Sequence, residues 1–114
     1  MIINLHGTGI DLTPAIKAYA EKKINTLTKF FDNITQADID LGRRSNHHHK
    51  GEVFYAEVNL HIPGTILRVV KEEEKLYKAI DKVKDHLKIE LESAKEKMRA
   101  KDKKGIRGQK EYQA

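Results

Sequence analysis

At the centre of the chain, residues 54–66 read FYAEVNLHIPGTI, and this stretch decides the fold. Apolar and polar residues alternate over 54–62, as in a β-strand with one buried face, and the alternation assigns Tyr55 to the exposed face. Pro63-Gly64 supplies the chemistry of a tight turn, so a second strand should return over residues 66–70. The stretch therefore predicts an antiparallel hairpin that packs on one side.

Two further strands are predicted on the N-terminal side of this hairpin. Apolar residues alternate with polar ones over 2–7, and again over 37–41, where Asp38 and Asp40 take the polar positions. The segment RRSNHHHK, residues 43–50, reads as a polar loop that leads into the hairpin. The sheet should therefore have four strands.

Helical periodicity accounts for the rest of the chain. Thr13-Pro14 forms an N-cap and first helical residue, and apolar residues then recur at helical spacing until about Phe31. A second helix is predicted from about Glu73 to about Lys103, ended by Gly105 and Gly108. Its apolar stripe comprises Leu76, Ile80, Val83, Leu87, Leu91, Ala94 and Met98.

The predicted order is βαβββα, which defines an α+β fold. One face of the four-stranded sheet is polar, so both helices should cover the other face in a two-layer sandwich. We expect a single domain over residues 1–104 and a short basic C-terminal tail over 105–114. The chain has no cysteine, which excludes disulfides, thiol catalysis and cysteine-ligated metals and fits a reducing cytoplasm. Neither a secretory signal nor a membrane span is expected.

The charge of the chain is unevenly distributed. The 22 basic and 17 acidic residues give a net charge of +5, and the whole excess lies within residues 95–114. A basic block of this kind suggests a polyanionic partner such as RNA, DNA or an anionic membrane surface. The alternative is a solvated tail that keeps the protein in solution.

Basic residues also follow the outer faces of both predicted helices. Such ridges suit the phosphates of folded RNA, although the acidic residues between them could equally form salt bridges along each helix. The first helix carries Lys22 and Lys29 two turns apart, with Lys23 nearer the core. The second helix carries one ridge of Lys78, Lys82 and His86, and another of Lys84, Lys88, Lys95 and Arg99.

No pattern in the sequence indicates catalysis or a cofactor. His47, His48 and His49 are consecutive but lack the further ligands that a metal site requires. The Gly7-Thr8-Gly9 turn lacks the third glycine of a dinucleotide fingerprint. Asp38 and Asp40 are interpreted as solvated strand carboxylates, because nothing in the sequence would separate their pKa values. We expect no enzyme activity, metal or cofactor.

Several segments together resemble one family. They are DLTPAI at 11–16, LTKFFDNI at 27–34, AEVNLHIPG at 56–64 and LYKAID at 76–81. In this order they are similar to the ribosome hibernation promoting factors, a family that includes the ribosome-associated inhibitor protein Y. The resemblance covers about residues 1–99 and agrees with the predicted topology.

The resemblance implies a cytoplasmic translation regulator of stress or stationary phase that is not an enzyme. Family members bind the small ribosomal subunit and its ribosomal RNA in the channel for mRNA and tRNA, and they silence idle ribosomes. Their fold is similar to a double-stranded-RNA-binding domain. The resemblance implies no DNA, membrane or small-molecule partner. Whether a separate ribosome-pairing factor takes part stays open. Lys22, Lys23 and Lys29 correspond to family positions that face RNA.

The second helix departs from the family pattern. Many relatives read Lys-Leu-x-Arg-Gln-Leu where residues 86–91 here read HLKIEL, so one basic position is weakened at His86 and one is lost at Ile89. The ridge through Lys88 could compensate. The chain is expected to be a short form without a C-terminal dimerisation domain. Two other functions stay open: an RNA-binding module that acts off the ribosome, and a protein-interaction domain that uses an exposed Ile89.

Overall fold

The computed structural model describes the backbone of residues 1–45 and 52–113 and the side chains of residues 1–44 and 53–100. The strands are β1 (Ile2–Thr8), β2 (Gln36–Ser45), β3 (Glu52–Ile62) and β4 (Thr65–Glu73). The helices are α1 (Pro14–Asn25), followed by a 3-10 turn (Thr26–Lys29), and α2 (Leu76–Gln113). This order confirms the predicted α+β arrangement.

The four strands form one sheet in the order β1-β2-β3-β4. β1 runs parallel to β2, which is possible because α1 crosses between them, and the other two pairs are antiparallel. The hairpin turn contains Gly64 with φ of +82°, a left-handed conformation that glycine adopts without a steric cost.

The core lies between one face of the sheet and the two helices. The predicted stripe of α2 is buried from Leu76 to Leu91, while Ala94 and Met98 are half-buried at its end. α2 packs against β3 and β4 and also contacts α1. The largest fully buried side chains are Ile24, Leu27, Leu41, Val58, Leu60, Ile80, Val83, Leu87 and Leu91.

The first helix begins as predicted but ends earlier. The Thr13 hydroxyl accepts a hydrogen bond from the Ile16 backbone N–H at 3.2 Å, and Pro14 follows as the first helical residue. The hydroxyl groups of Thr26 and Thr28 bond back to carbonyls three residues earlier, at 2.6 and 2.8 Å. These bonds accompany a tightening into a 3-10 turn, so the prediction of one helix to Phe31 was wrong.

Three other predicted boundaries were also wrong. β2 continues through 43–45, which had been assigned to a loop, because its pairing with β3 extends to Glu52. α2 begins at Leu76, since Glu73 still pairs in β4. α2 also continues past Gly105 and Gly108, because a glycine costs only about 1 kcal/mol in a helix and does not force an end. The division into residues 1–104 and a tail remains a prediction.

The packing predicts that substitutions at two nearby positions of α2 differ strongly in their effect on the free energy of unfolding. Leu87 is fully buried, whereas Ile89 is 63% exposed on the opposite side of the helix. Leu87→Ala should lower the free energy of unfolding by about 2–5 kcal/mol through lost burial and a residual cavity. Ile89→Ala should change it by less than about 0.5 kcal/mol. Chemical denaturation measures both, and equal losses would contradict the packing described.

Candidate nucleic-acid interface

Three of the nine predicted RNA-binding residues are exposed at different places on the helical layer. Lys22 is on α1, Lys29 ends the 3-10 turn after it, and Lys78 is in the first turn of α2. None of the three forms an ion pair or a side-chain hydrogen bond with another described residue. Their ammonium groups are therefore available to an anionic partner.

A polar and aromatic seam joins α1 to α2. The Tyr19 hydroxyl donates a hydrogen bond to Asp81 at 2.6 Å, and the Tyr19 and Tyr77 rings meet edge to face with centroids 4.7 Å apart. The bond to the Asp81 carboxylate, with some desolvation, raises the pKa of Tyr19 to about 12. The hydroxyl thus remains a donor at any physiological pH, which keeps the seam in place.

Two predicted site residues take part in this seam. The Lys23 ammonium lies 3.6 Å from the Asp81 carboxylate and 5.4 Å from the Tyr19 ring centroid. The Lys88 ammonium lies 4.5 Å from the centroid of the Phe30 ring, in a cation–π contact that spans the helices. Both side chains are half-buried. Asp81 therefore pairs with residues of α1. The alternative of salt bridges along α2 does not hold for this residue.

The ridge of Lys78, Lys82 and His86 runs along the flank of α2 that faces away from α1. Lys82 forms an ion pair with Glu73 of β4, and its hydrogen bond is the main cause that lowers the pKa of that carboxyl. His86 Nε2 lies 3.2 Å from Glu90 Oε1, one turn along the helix. An RNA phosphate at either residue would have to displace a carboxylate.

The last two predicted residues lie further along α2. Lys95 and Arg99 are exposed and border a shallow depression together with Glu92 and Glu96. They lie beyond Leu91, the last fully buried residue of the stripe. The predicted residues are thus spread along the helical layer. Lys23 lies beside Asp81, Lys29 precedes Phe30, which contacts Lys88, and Lys95 and Arg99 lie further along α2.

The helix-free face of the sheet has a different character. Four carboxylates, those of Asp38, Asp40, Glu57 and Glu72, stand there against the guanidinium groups of Arg44 and Arg68. Arg68 pairs with Glu57 at 2.7 Å, and Arg44 pairs with Glu72 at 2.6 Å. The face surrounds a depression of about 390 Å³ lined in part by Asp38, Asp40 and Glu57. This acidic balance makes it a poor surface for a polyanion.

Asp38 is the centre of a hydrogen-bond network on this face. Its carboxylate accepts bonds from the side-chain amides of Asn4 at 2.9 Å and Gln36 at 2.7 Å, and His61 Nε2 lies 2.8 Å away. These bonds lower its pKa to about 2. Asp38 is thus bound across three strands rather than simply solvated. Sequence reasoning missed this because the network depends on the cross-strand register.

Tyr55 is on the face that the alternation predicts, but it is not exposed there. It lies on the helix-free face but is only 5% exposed, with its hydroxyl donating to Asp40 at 2.9 Å. Its ring fills the space above Gly42, where an added Cβ would lie 2.4 Å from a ring carbon. The Arg44 guanidinium covers the ring at 4.4 Å. The sequence feature that could have revealed this burial is Gly42, which pairs with Tyr55 on the adjacent strand.

Neither a metal site nor a membrane span is found in the described part of the chain. Within it, no group of three His, Cys, Asp or Glu side chains is placed to hold a metal ion. The same residues include no helix with the length and apolar character needed to cross a bilayer. His47, His48 and His49 fall outside the described residues.

The chain belongs to the family described as sigma 54 modulation protein / S30EA ribosomal protein, whose model matches residues 3–99. It is 30% identical over 99 residues to a ribosome hibernation promoting factor of Klebsiella oxytoca, covering 87% of this chain and 98% of that one. It is 33% identical over 96 residues to a ribosome hibernation promotion factor of Deinococcus radiodurans, covering 82% of this chain. The chain spans about half of that second relative, 49% of its length.

A solved structure agrees with this membership. The N-terminal domain of protein Y from Thermus thermophilus has 32% sequence identity and a TM-score of 0.70. The match covers 80% of this chain and 96% of that domain. The family resemblance and the fold predicted from the sequence are thereby confirmed.

The Asp38 network predicts a pH-dependent contribution to stability. Because the fold lowers this pKa from 3.8 to about 2, it favours the ionised form, and the benefit is present above pH 3.8 and lost as the pH falls through 2. Asp38→Asn should therefore destabilise the protein at pH 7, with a difference from wild type that shrinks between pH 4 and pH 2.

Denaturation at several pH values measures this difference. Asp32→Asn is the control, because the Asp32 side chain is exposed and has no ion pair with a described residue. This control should cost much less stability at pH 7. A difference between wild type and Asp38→Asn that stays constant from pH 7 to pH 2 would contradict the network.

Proposed function

We propose that the protein is a non-catalytic ribosome hibernation factor of the cytoplasm. It binds the small ribosomal subunit through ribosomal RNA in the channel for mRNA and tRNA, and thereby silences translation in stress or stationary phase. Family membership supports the ribosome as the partner. The observation that carries the RNA-binding surface is that three exposed cations of the helical layer, Lys22, Lys29 and Lys78, make no ion pair with a described residue.

The difference in charge between the helix-free face of the sheet and the outer surface of the helices supports an orientation in which the helices face RNA. Among the described residues, the helix-free face carries four carboxylates and two guanidinium groups, a balance that disfavours a phosphate backbone. The outer surface of the helices offers ammonium groups without described carboxylate partners, and these can bind phosphates without breaking an ion pair. RNA therefore contacts the helical layer in this proposal, while the sheet faces away from it.

The alternative of a protein-interaction domain has one observation in its favour. Ile89 is 63% exposed on the side of α2 opposite the core, at a position where the family pattern given by the resemblance is basic. An exposed isoleucine on a helix can pack against a protein partner, but a single apolar side chain does not make a patch. A sizing experiment on Ile89→Arg separates this alternative from RNA binding, because only a protein contact would be lost.

Phosphate contacts predict a steep dependence of binding on salt. The affinity for purified small subunits should fall linearly with salt on a log–log scale. Lys22→Ala and Lys29→Ala should each flatten the slope by about one unit, since each removes one phosphate contact. Arg68→Ala, on the helix-free face, is the control and should leave the slope unchanged. A wild-type slope near zero would contradict RNA binding.

The two sides of α2 can be distinguished by adding a charge. If RNA contacts the ridge of Lys78, Lys82 and His86, Ile89→Arg adds a phosphate contact and tightens binding by about 2- to 10-fold, the effect of one charge-assisted bond. Ile2→Arg is the matched control, because Ile2 is also 63% exposed but lies on the helix-free face. It should have little effect.

Lys88→Glu completes the comparison. If RNA instead contacts the ridge of Lys84, Lys88, Lys95 and Arg99, this variant should weaken binding strongly while Ile89→Arg has no effect. We expect the first result, because Lys78 of that ridge is exposed and makes no ion pair with a described residue, whereas Lys88 is half-buried against Phe30. Thermal unfolding of each variant shows whether a loss of binding reflects a loss of fold.

A further inference from the structure

One aromatic ring stands apart on the helical surface. Tyr77 is 43% exposed, whereas every other Phe or Tyr within residues 1–44 and 53–100 is half-buried or buried. It lies in the first turn of α2, on the flank that faces α1. Packing of the core does not require an exposed ring at this position, and neither does the binding of RNA phosphates by charge.

The neighbouring side chains hold this ring in a defined orientation. Tyr77 meets the Tyr19 ring at an interplanar angle of 79°, with the centroids 4.7 Å apart. Tyr19 is itself fixed by the 2.6 Å hydrogen bond from its hydroxyl to Asp81. A ring that is ordered before the ligand arrives loses little conformational entropy on binding. Tyr77 is therefore a preformed aromatic surface.

Lysines lie near this aromatic surface, together with the Asp81 carboxylate that binds Tyr19 and Lys23. Lys78 is the next residue along α2 and is exposed. Lys22 and Lys23 follow Tyr19 by three and four residues, so they lie one helical turn from the ring that supports Tyr77. An aromatic ring beside ammonium groups can bind the two parts of a nucleotide, the base by stacking and the phosphate by charge.

We propose that Tyr77 stacks on an unpaired nucleobase of the RNA that the two helices bind. This inference rests on the proposed function and adds a contact that does not depend on charge. The base has to be unpaired, because bases within an RNA duplex are already stacked on their neighbours, whereas loops and bulges expose a free face. The site would therefore select an RNA segment that combines phosphates with a splayed base.

Two substitutions at Tyr77 test the stacking contact with purified small ribosomal subunits. Tyr77→Phe keeps the ring and should bind within twofold of wild type. Tyr77→Leu keeps an apolar side chain that suits a helix but removes the ring, and should weaken binding by about 5- to 100-fold. The salt slope of the Leu variant should equal that of wild type, because no phosphate contact is lost. Lys22→Ala changes that slope and is the contrasting control.

Ultraviolet crosslinking gives a second readout that does not depend on the stability of a variant. Irradiation of the wild-type complex, followed by mass spectrometry, should identify a nucleotide attached to Tyr77, and that nucleotide should be unpaired in the subunit. Tyr77→Leu binding within twofold of wild type, or a Tyr77 crosslink confined to duplex RNA, would overturn the stacking contact alone. Failure of the wild-type protein to bind subunits would overturn the proposed function and the stacking contact with it.

Discussion

Both helices bury their apolar stripes against the same face of the four-stranded sheet, and this shared core determines where the charged side chains can lie. Leu27 from the end of the first helical segment and Leu87 from α2 meet the strands in one continuous cluster. The two helices are consequently neighbours, and their outer surfaces form one layer. The opposite face of the sheet is left free to carry a hydrogen-bond network instead of a core.

This arrangement separates two kinds of surface within a small protein. Carboxylates dominate the helix-free face, where Asp38 and Glu57 are held by partners from neighbouring strands. The helical layer contains cations that differ in their availability. Lys23, Lys82 and Lys88 already make contacts within the fold, whereas Lys22, Lys29 and Lys78 make no described ion pair. The number of basic residues on a helix therefore overestimates the charge that it offers to RNA.

The sequence predicts the elements with a strong period and fails where the outcome depends on contacts across the sheet. The hairpin of residues 54–66 and the stripe of α2 are found as expected, because alternation and helical spacing report directly on burial. Tyr55 follows the alternation but is buried, because Gly42, on a neighbouring strand, leaves space for its ring. The end of α1 departs from its period because two threonine hydroxyls bond to the backbone.

The candidate surface was predictable only in part for the same reason. Helical spacing identified the basic ridges, but it could not show that Asp81 pairs with Tyr19 and Lys23 on the other helix. That contact links the two helices and engages the Lys23 ammonium group within the fold. Tyr77 carried no signal of exposure in the sequence, because its position beside Leu76 is compatible with a place at the edge of the core.

We propose that the helical layer, and not the sheet, contacts ribosomal RNA. A cryo-electron microscopy map of the protein bound to the small subunit would show which of the two faces the RNA. We expect density for the protein in the channel for mRNA and tRNA, with Lys22, Lys29 and Lys78 against RNA and the Asp38 face turned away. A map in which the Asp38 face lies against RNA, or in which the helices contact only solvent, would contradict it.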